Sequence, residues 1–244
     1  MQIILTLSFI AVLYLGLELA IIFFRFKTLP QLQAIDQSDK TLGKGTVIRY
    51  IAAGDSTAAG LGASRAEKSY SYRIASFLAQ THQVEYRDIA VTGLKTQDVL
   101  EKQLSLIIDY RPDVISISMG GNDSTHMLSK NKIFQNYTSI INRLKTGTTA
   151  HIYITDTQHY MSKIPKFWIA RVLPWLYIRI LQFRYDNLND RILALEDERV
   201  KIINIFGHAP FKNRRAYYAT DYYHPNDEGY ENWAAEFIKK INAK

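Results

Sequence analysis

An apolar run rich in β-branched residues, Val47-Ile48-Arg49-Tyr50-Ile51-Ala52-Ala53, stops abruptly at Gly54-Asp55-Ser56-Thr57-Ala58-Ala59-Gly60. Such a run suits a buried strand of a parallel sheet. An open α/β sheet binds its ligands in the crevice beyond the carboxyl ends of its strands. A Gly-Asp-Ser turn at this point therefore puts a hydroxyl where chemistry is done. Gly54 permits the sharp turn, and Ser56 is expected to open the next helix with its hydroxyl exposed. Free backbone N–H groups at a helix start also favour a developing negative charge. On its own the triplet equally fits an ordinary turn.

The rest of the chain decides. Thr46 to Ala53, Val84 to Val91, Asp113 to Met119, His151 to Thr155 and Lys201 to Ile205 read as five strands. Helical patterns separate them: Tyr70 to Gln80, Thr96 (as N-cap) to Tyr110, Ile133 to Lys145 and a long region from Lys163 to Glu198. A last helix runs from Asp227 to Lys240. Strands joined by helices imply right-handed crossovers and a three-layer α/β/α sandwich around a mainly parallel five-stranded sheet.

Met1 to Phe24 is almost wholly apolar, and roughly twenty such residues span a bilayer as a helix. Glu18 is its one charge, at a cost of about 2.5–3.5 kcal/mol for a carboxylate at mid-membrane on insertion scales. A cleaved signal peptide would carry a basic stretch before the run and a small-residue cleavage site after it, and neither is seen. Residues 1–27 are thus expected to be a single-pass membrane anchor. Arg25 and Lys27 follow the run while no Lys or Arg precedes it, which by the positive-inside rule favours a cytoplasmic domain. Residues 28–45, polar and holding Pro30, Gly43 and Gly45, read as a linker to a domain over 46–244. The net charge of +7 invites a nucleic-acid reading, but no nucleic-acid motif accompanies it. With no cysteine, disulfides and thiolate metal sites are excluded.

Three more strand ends carry chemistry. Gly93 follows the second strand and can bring a backbone N–H close to a ligand. Gly120-Gly121-Asn122-Asp123 follows the third, where the Asn122 amide is an uncharged donor. Asp221-Tyr222-Tyr223-His224-Pro225 precedes the last helix, with a carboxylate three residues before an imidazole it can orient toward a hydroxyl.

In this order the four blocks resemble those of the SGNH (GDSL-like) hydrolases, from about Thr46 to Lys240. Gly60 stands at the family's usual distance after Ser56, and Asn226 to Trp233 is similar to its final helix start. The chain departs at the second block, with Asp88-Ile89-Ala90 where the family often has Asn before the Gly. The resemblance implies a flavodoxin-like SGNH fold and a serine esterase or lipase. Ser56 would be the nucleophile, His224 the base and Asp221 its orienting carboxylate. An oxyanion hole would comprise the N–H groups of Ser56 and Gly93 and the Asn122 amide. No metal and no cofactor is implied, and Asp55 and Asp123 would hold the turns. The expected substrate is an acyl lipid such as a lysophospholipid. Residues 164–181 mix bulky apolar and aromatic side chains with spaced cations, as membrane-interface segments do. Pro174 is expected to kink or break that helix. The alternatives are an O-acetyl esterase or acyltransferase on glycans, and a non-catalytic membrane-bound module.

Overall fold

The computed structural model describes residues 2–28, 30–33, 35–36, 38–157, 172–205, 214–221 and 223–243. The apolar helix α1 (Gln2–Thr28) is followed by β1 (Lys40–Leu42), β2 (Val47–Gly54), α2 (Tyr70–Leu78) and β3 (Gln83–Asp88). Next come α3 (Thr96–Asp98), a π-helical turn (Val99–Gln103), α4 (Leu104–Tyr110), β4 (Val114–Ser118), α5 (Gly121–Thr125), α6 (Lys130–Gly147) and β5 (His151–Thr155). Then follow α7 (Val172–Arg184), α8 (Leu188–Leu193), β6 (Val200–Ile203), α9 (Arg214–Tyr217) and α10 (Asp227–Asn242).

The sheet order is β1-β3-β2-β4-β5-β6, with every pairing parallel except β1 against β3. The five parallel strands have the flavodoxin-like order, and β2 lies at its switch point, with β3 on one side and β4 on the other. That puts the end of β2 where such folds bind ligands.

Alternate residues of β2 feed two cores, as the two-residue period of a strand requires. Tyr50 and Ala52 face a layer built from Tyr70 and Ile74 of α2 with Tyr230, Trp233 and Phe237 of α10. Ile51 and Ala53 face Leu104 and Ile107 of α4, Ile133 to Leu144 of α6 and Ile192 of α8. Ser69 caps α2 by accepting the N–H of Tyr72 at 3.2 Å, and Asn226 caps α10 by accepting that of Gly229 at 2.9 Å. The acidic first turn and basic last turn of α10 suit the helix dipole.

Three expectations change. The sheet has a sixth strand, because β1 forms inside the stretch read as linker, with Lys40 opposite Tyr86 and Leu42 opposite Val84. A short polar edge strand gives no apolar alternation to read. Thr96 is the first residue of α3 and not its cap, since its N–H and hydroxyl go to the Asp123 carboxylate at 3.0 and 2.6 Å. The long region 163–198 holds two helices, parted at Asn187, whose φ is +59°; residues 163–171 lie outside the described residues. Pro174, expected to kink or break this helix, is the third described residue of α7.

Candidate active site

The chain leaves β2 through Gly54, whose N–H and carbonyl are both held by the buried side chain of Gln103, at 2.9 and 3.1 Å. The same amide donates to the Ile89 carbonyl at 2.8 Å. Asp55 N–H donates to the Ser118 carbonyl at 3.0 Å, tying the ends of β2 and β4 together. Residues 56–62 then form hydrogen-bonded turns, and not the helix expected after Ser56. The turn bends back at Gly60, and α2 starts only at Tyr70.

Ser56 is nearly buried, and its hydroxyl lies 2.8 Å from Nε2 of His224. Nδ1 of His224 lies 2.6 Å from Oδ2 of Asp221. A carboxylate only accepts, so the imidazole proton sits on Nδ1, which leaves Nε2 to accept from the serine hydroxyl. Oδ1 of Asp221 accepts the N–H groups of Tyr223 and His224 at 2.9 and 3.0 Å, fixing the turn that carries the histidine. Burial works against ionisation of Asp221. The hydrogen bond and charge of His224 and the two N–H groups outweigh it and hold the carboxyl below its usual range. Residues 168 positions apart in sequence thus form one continuous chain of hydrogen bonds. Tyr222, within the same turn, lies outside the described residues.

The other two blocks converge on the same corner. Val91 N–H donates to the Gly54 carbonyl at 3.1 Å, which draws the loop after β3 against the end of β2. Asp88 shapes that loop by accepting the Ala90 N–H at 2.9 Å, the place where the family pattern often has Asn. A Cβ built on Gly93 would meet nothing within 4 Å, so the backbone there faces open space. Asn122, in the first turn of α5, donates from its amide to the Leu94 carbonyl at 2.9 Å, next to Gly93. The amide has a second hydrogen to offer. Asp123 clamps Thr96, and Asn136 donates to the Thr96 hydroxyl at 2.8 Å. Asp55 is buried and accepts the Thr57 N–H at 2.9 Å; burial pushes its carboxyl up to about 7. Both acids hold turns.

Gln103 is the positioning residue that sequence reasoning missed. Its signal is faint: Val99, Gln103 and Ile107 share one face at four-residue spacing, so an amide interrupts a buried apolar stripe. Among the described residues, no group of three or more His, Cys, Asp or Glu is placed to hold a metal ion.

Asp156, just past β5, is fully buried, and its contacts with the Ile205 N–H and the Asn189 amide are both long, at 3.4 Å. Burial pushes its carboxyl up to about 8. In the unfolded chain that carboxyl ionises near pH 4, so folding between about pH 4 and 8 takes up a proton. Stability therefore falls as pH rises through that window, by up to about 1.4 kcal/mol per unit. Asp156→Asn is expected to remove this slope, so that its Tm gains on that of the wild type from pH 5 to pH 8. Parallel Tm curves over that range would mean that Asp156 folds as the anion.

The model of the GDSL-like lipase/acylhydrolase family matches residues 52–231, which contain all four blocks. No curated protein matches the chain in sequence. Among solved structures, the lipase Lip_vut3 from a goat rumen metagenome is 20% identical, with a TM-score of 0.64 over 79% of this chain and 96% of that one. A GDSL-like lipase from Bacteroides thetaiotaomicron is 19% identical, with a TM-score of 0.55 over 80% of this chain and 88% of that one. A family 3 carbohydrate esterase from Clostridium thermocellum is 16% identical, with a TM-score of 0.55 over 80% and 94%. At these identities the likeness is one of fold.

Proposed function

The chain belongs to the GDSL-like lipase/acylhydrolase family and is a carboxylic ester hydrolase; from that premise we propose that it cleaves acyl lipids, such as lysophospholipids, through an acyl-serine intermediate at Ser56. The observation that carries the catalytic assignment is the unbroken hydrogen-bond chain Ser56–His224–Asp221. Ser56 Oγ attacks the ester carbonyl while Nε2 of His224 takes its proton. That proton passes to the departing alcohol as the carbon–oxygen bond breaks, leaving the acyl group on Ser56. Water then attacks with His224 as base, and the acid leaves as Ser56 recovers its proton. Asp221 keeps the imidazole oriented and stabilises its charged form without being protonated. The N–H groups of Ser56 and Gly93 and the free hydrogen of the Asn122 amide receive the oxyanion.

The lipid reading rests on α1, whose span Leu5–Phe24 is long and apolar enough to cross a membrane. In this reading α1 is a retained single-pass anchor, and Arg25 and Lys27 favour the cytoplasmic side. The interface segment proposed over 164–181 is supported by the exposed Trp175, Leu176 and Ile180; residues 164–171 lie outside the described residues. A second reading, O-acetyl ester cleavage or acyl transfer on glycans, draws on the carbohydrate esterase among the similar structures. A chain-length series of p-nitrophenyl esters, run beside lysophospholipid, separates the two. Rates that climb with acyl length and extend to lysophospholipid are expected. Turnover confined to acetyl esters would shift the assignment to the glycan reading.

A further inference from the structure

The carboxylate of Glu18 is the one charge within the span of α1, and it is wholly buried although nearly every other residue of that span is exposed. Its two oxygens accept the backbone N–H groups of Val172 and Leu173 at 2.9 and 2.8 Å. Those are the N–H groups of the first two described residues of α7. Leu15, Ile21 and Ile22, on the same side of α1 as Glu18, are partly covered. Glu18 sits six residues before Phe24, so the Val172 and Leu173 N–H groups lie ~9 Å inside the end of the apolar span.

This pairing makes physical sense in a lipid environment. Water would solvate both the carboxylate and these N–H groups, so joining them there gains only about 0.5–2 kcal/mol. In hydrocarbon each is costly alone, and together they satisfy one another with the helix dipole aligned.

The outer face of α7 points to the same environment. Val172, Trp175, Leu176, Ile180 and Phe183 recur at helical spacing and are all exposed, Phe183 by 87%. A surface helix in water would show polar residues there. Arg179 interrupts the stripe, its guanidinium 5.7 Å from the Trp175 ring centre, an arrangement suited to a lipid headgroup region. At its other end α7 enters the protein core. Leu181 and Tyr185 are buried, and the Tyr185 hydroxyl donates to the Leu128 carbonyl at 2.8 Å, six residues past Asn122.

We propose that α1 and α7 form one membrane-embedded unit locked by the Glu18 cap, which lays the apolar stripe of α7 into the bilayer and seats the Asn122 side of the active site against the lipid from which the substrate comes. The proposal deepens the anchoring and acyl-lipid reading above and rests on it. α1 is then a working part of the enzyme, and α7 is a bridge from the bilayer to the catalytic corner.

The test uses the full-length protein in phosphatidylcholine–phosphatidylglycerol vesicles containing lysophosphatidylcholine. Because the chain has no cysteine, Leu176→Cys can be labelled uniquely with an environment-sensitive fluorophore. The label is expected to shift to the blue and to be quenched by lipids brominated in the acyl chain. A label that behaves as in water would overturn the proposal, and this readout requires no turnover, so it stands or falls apart from the proposed reaction. Glu18→Leu is expected to reduce lysophosphatidylcholine hydrolysis in vesicles about tenfold or more and to weaken quenching of the label. Its turnover of water-soluble p-nitrophenyl acetate should stay within twofold of wild type, which also reports that the domain is folded. Glu18→Gln, which keeps one accepting oxygen, should lie between. Unchanged vesicle hydrolysis and unchanged quenching in Glu18→Leu would show that the cap does not hold α7 in the membrane.

Discussion

Ser56→Ala is expected to lower turnover of every ester substrate by at least about 10⁴-fold, with the folded structure intact. The substitution removes one oxygen, and alanine fits the same backbone because Ser56 lies in an ordinary turn rather than in a strained left-handed conformation. What is lost is the hydroxyl that lies 2.8 Å from Nε2 of His224. Any residual rate would come from oxyanion donors and substrate binding acting on water. The comparison is made with matched concentrations of the two proteins on p-nitrophenyl butyrate, with circular dichroism as the check on folding. A loss smaller than tenfold would mean that water, or another side chain, makes the attack.

Gly54→Ala is the second large effect, and it falls on stability before chemistry. Gly54 has φ +125°, a region closed to residues with a side chain. A Cβ there would lie 1.9 Å from the Ser118 carbonyl oxygen and 2.8 Å from its carbon. Both atoms are backbone of β4, the strand paired with β2, so no rotamer change can make room. Gln103 also grips both polar groups of Gly54 and would lose that grip if the strand moved. The expected cost is about 4 kcal/mol or more, read as a lower midpoint in urea or as protein found only in the insoluble fraction. A midpoint close to that of the wild type would mean that β2 and β4 can part at their ends without penalty.

These two residues are legible in the sequence for different reasons. Ser56 stands out because an apolar strand stops at a small, polar turn, and Gly54 because such a stop needs a residue that bends. His224 and Asp221 are legible through a short local pattern, but nothing local tells that they reach a serine 168 positions away. Only the order of the four blocks, met together, supplies that. The parallel strands are readable because burial on both faces selects apolar and small uncharged residues, as in Val114-Ile115-Ser116-Ile117-Ser118, where every residue is buried.

What escapes reading lacks periodicity or depends on distant partners. β1 is three residues of polar edge, stabilised by pairing with β3 rather than by its own pattern. Thr96 looks like a cap in isolation and is instead held by Asp123, twenty-seven positions on. Gln103 gains its role from a π-helical turn that aims it at Gly54, a geometry no side-chain pattern announces. Glu18 is visible as an oddity in an apolar helix, and its partner at the start of α7 becomes visible only in three dimensions.

The central claim is that Ser56 is the nucleophile, and covalent capture tests it most directly. The full-length protein is treated with an alkyl fluorophosphonate and its peptides are mapped by mass spectrometry. A single phosphonyl adduct on Ser56, with ester hydrolysis lost in step with its formation, is the predicted result. An enzyme that goes on hydrolysing esters with Ser56 unmodified, or that is inactivated by an adduct on another residue, would contradict the account.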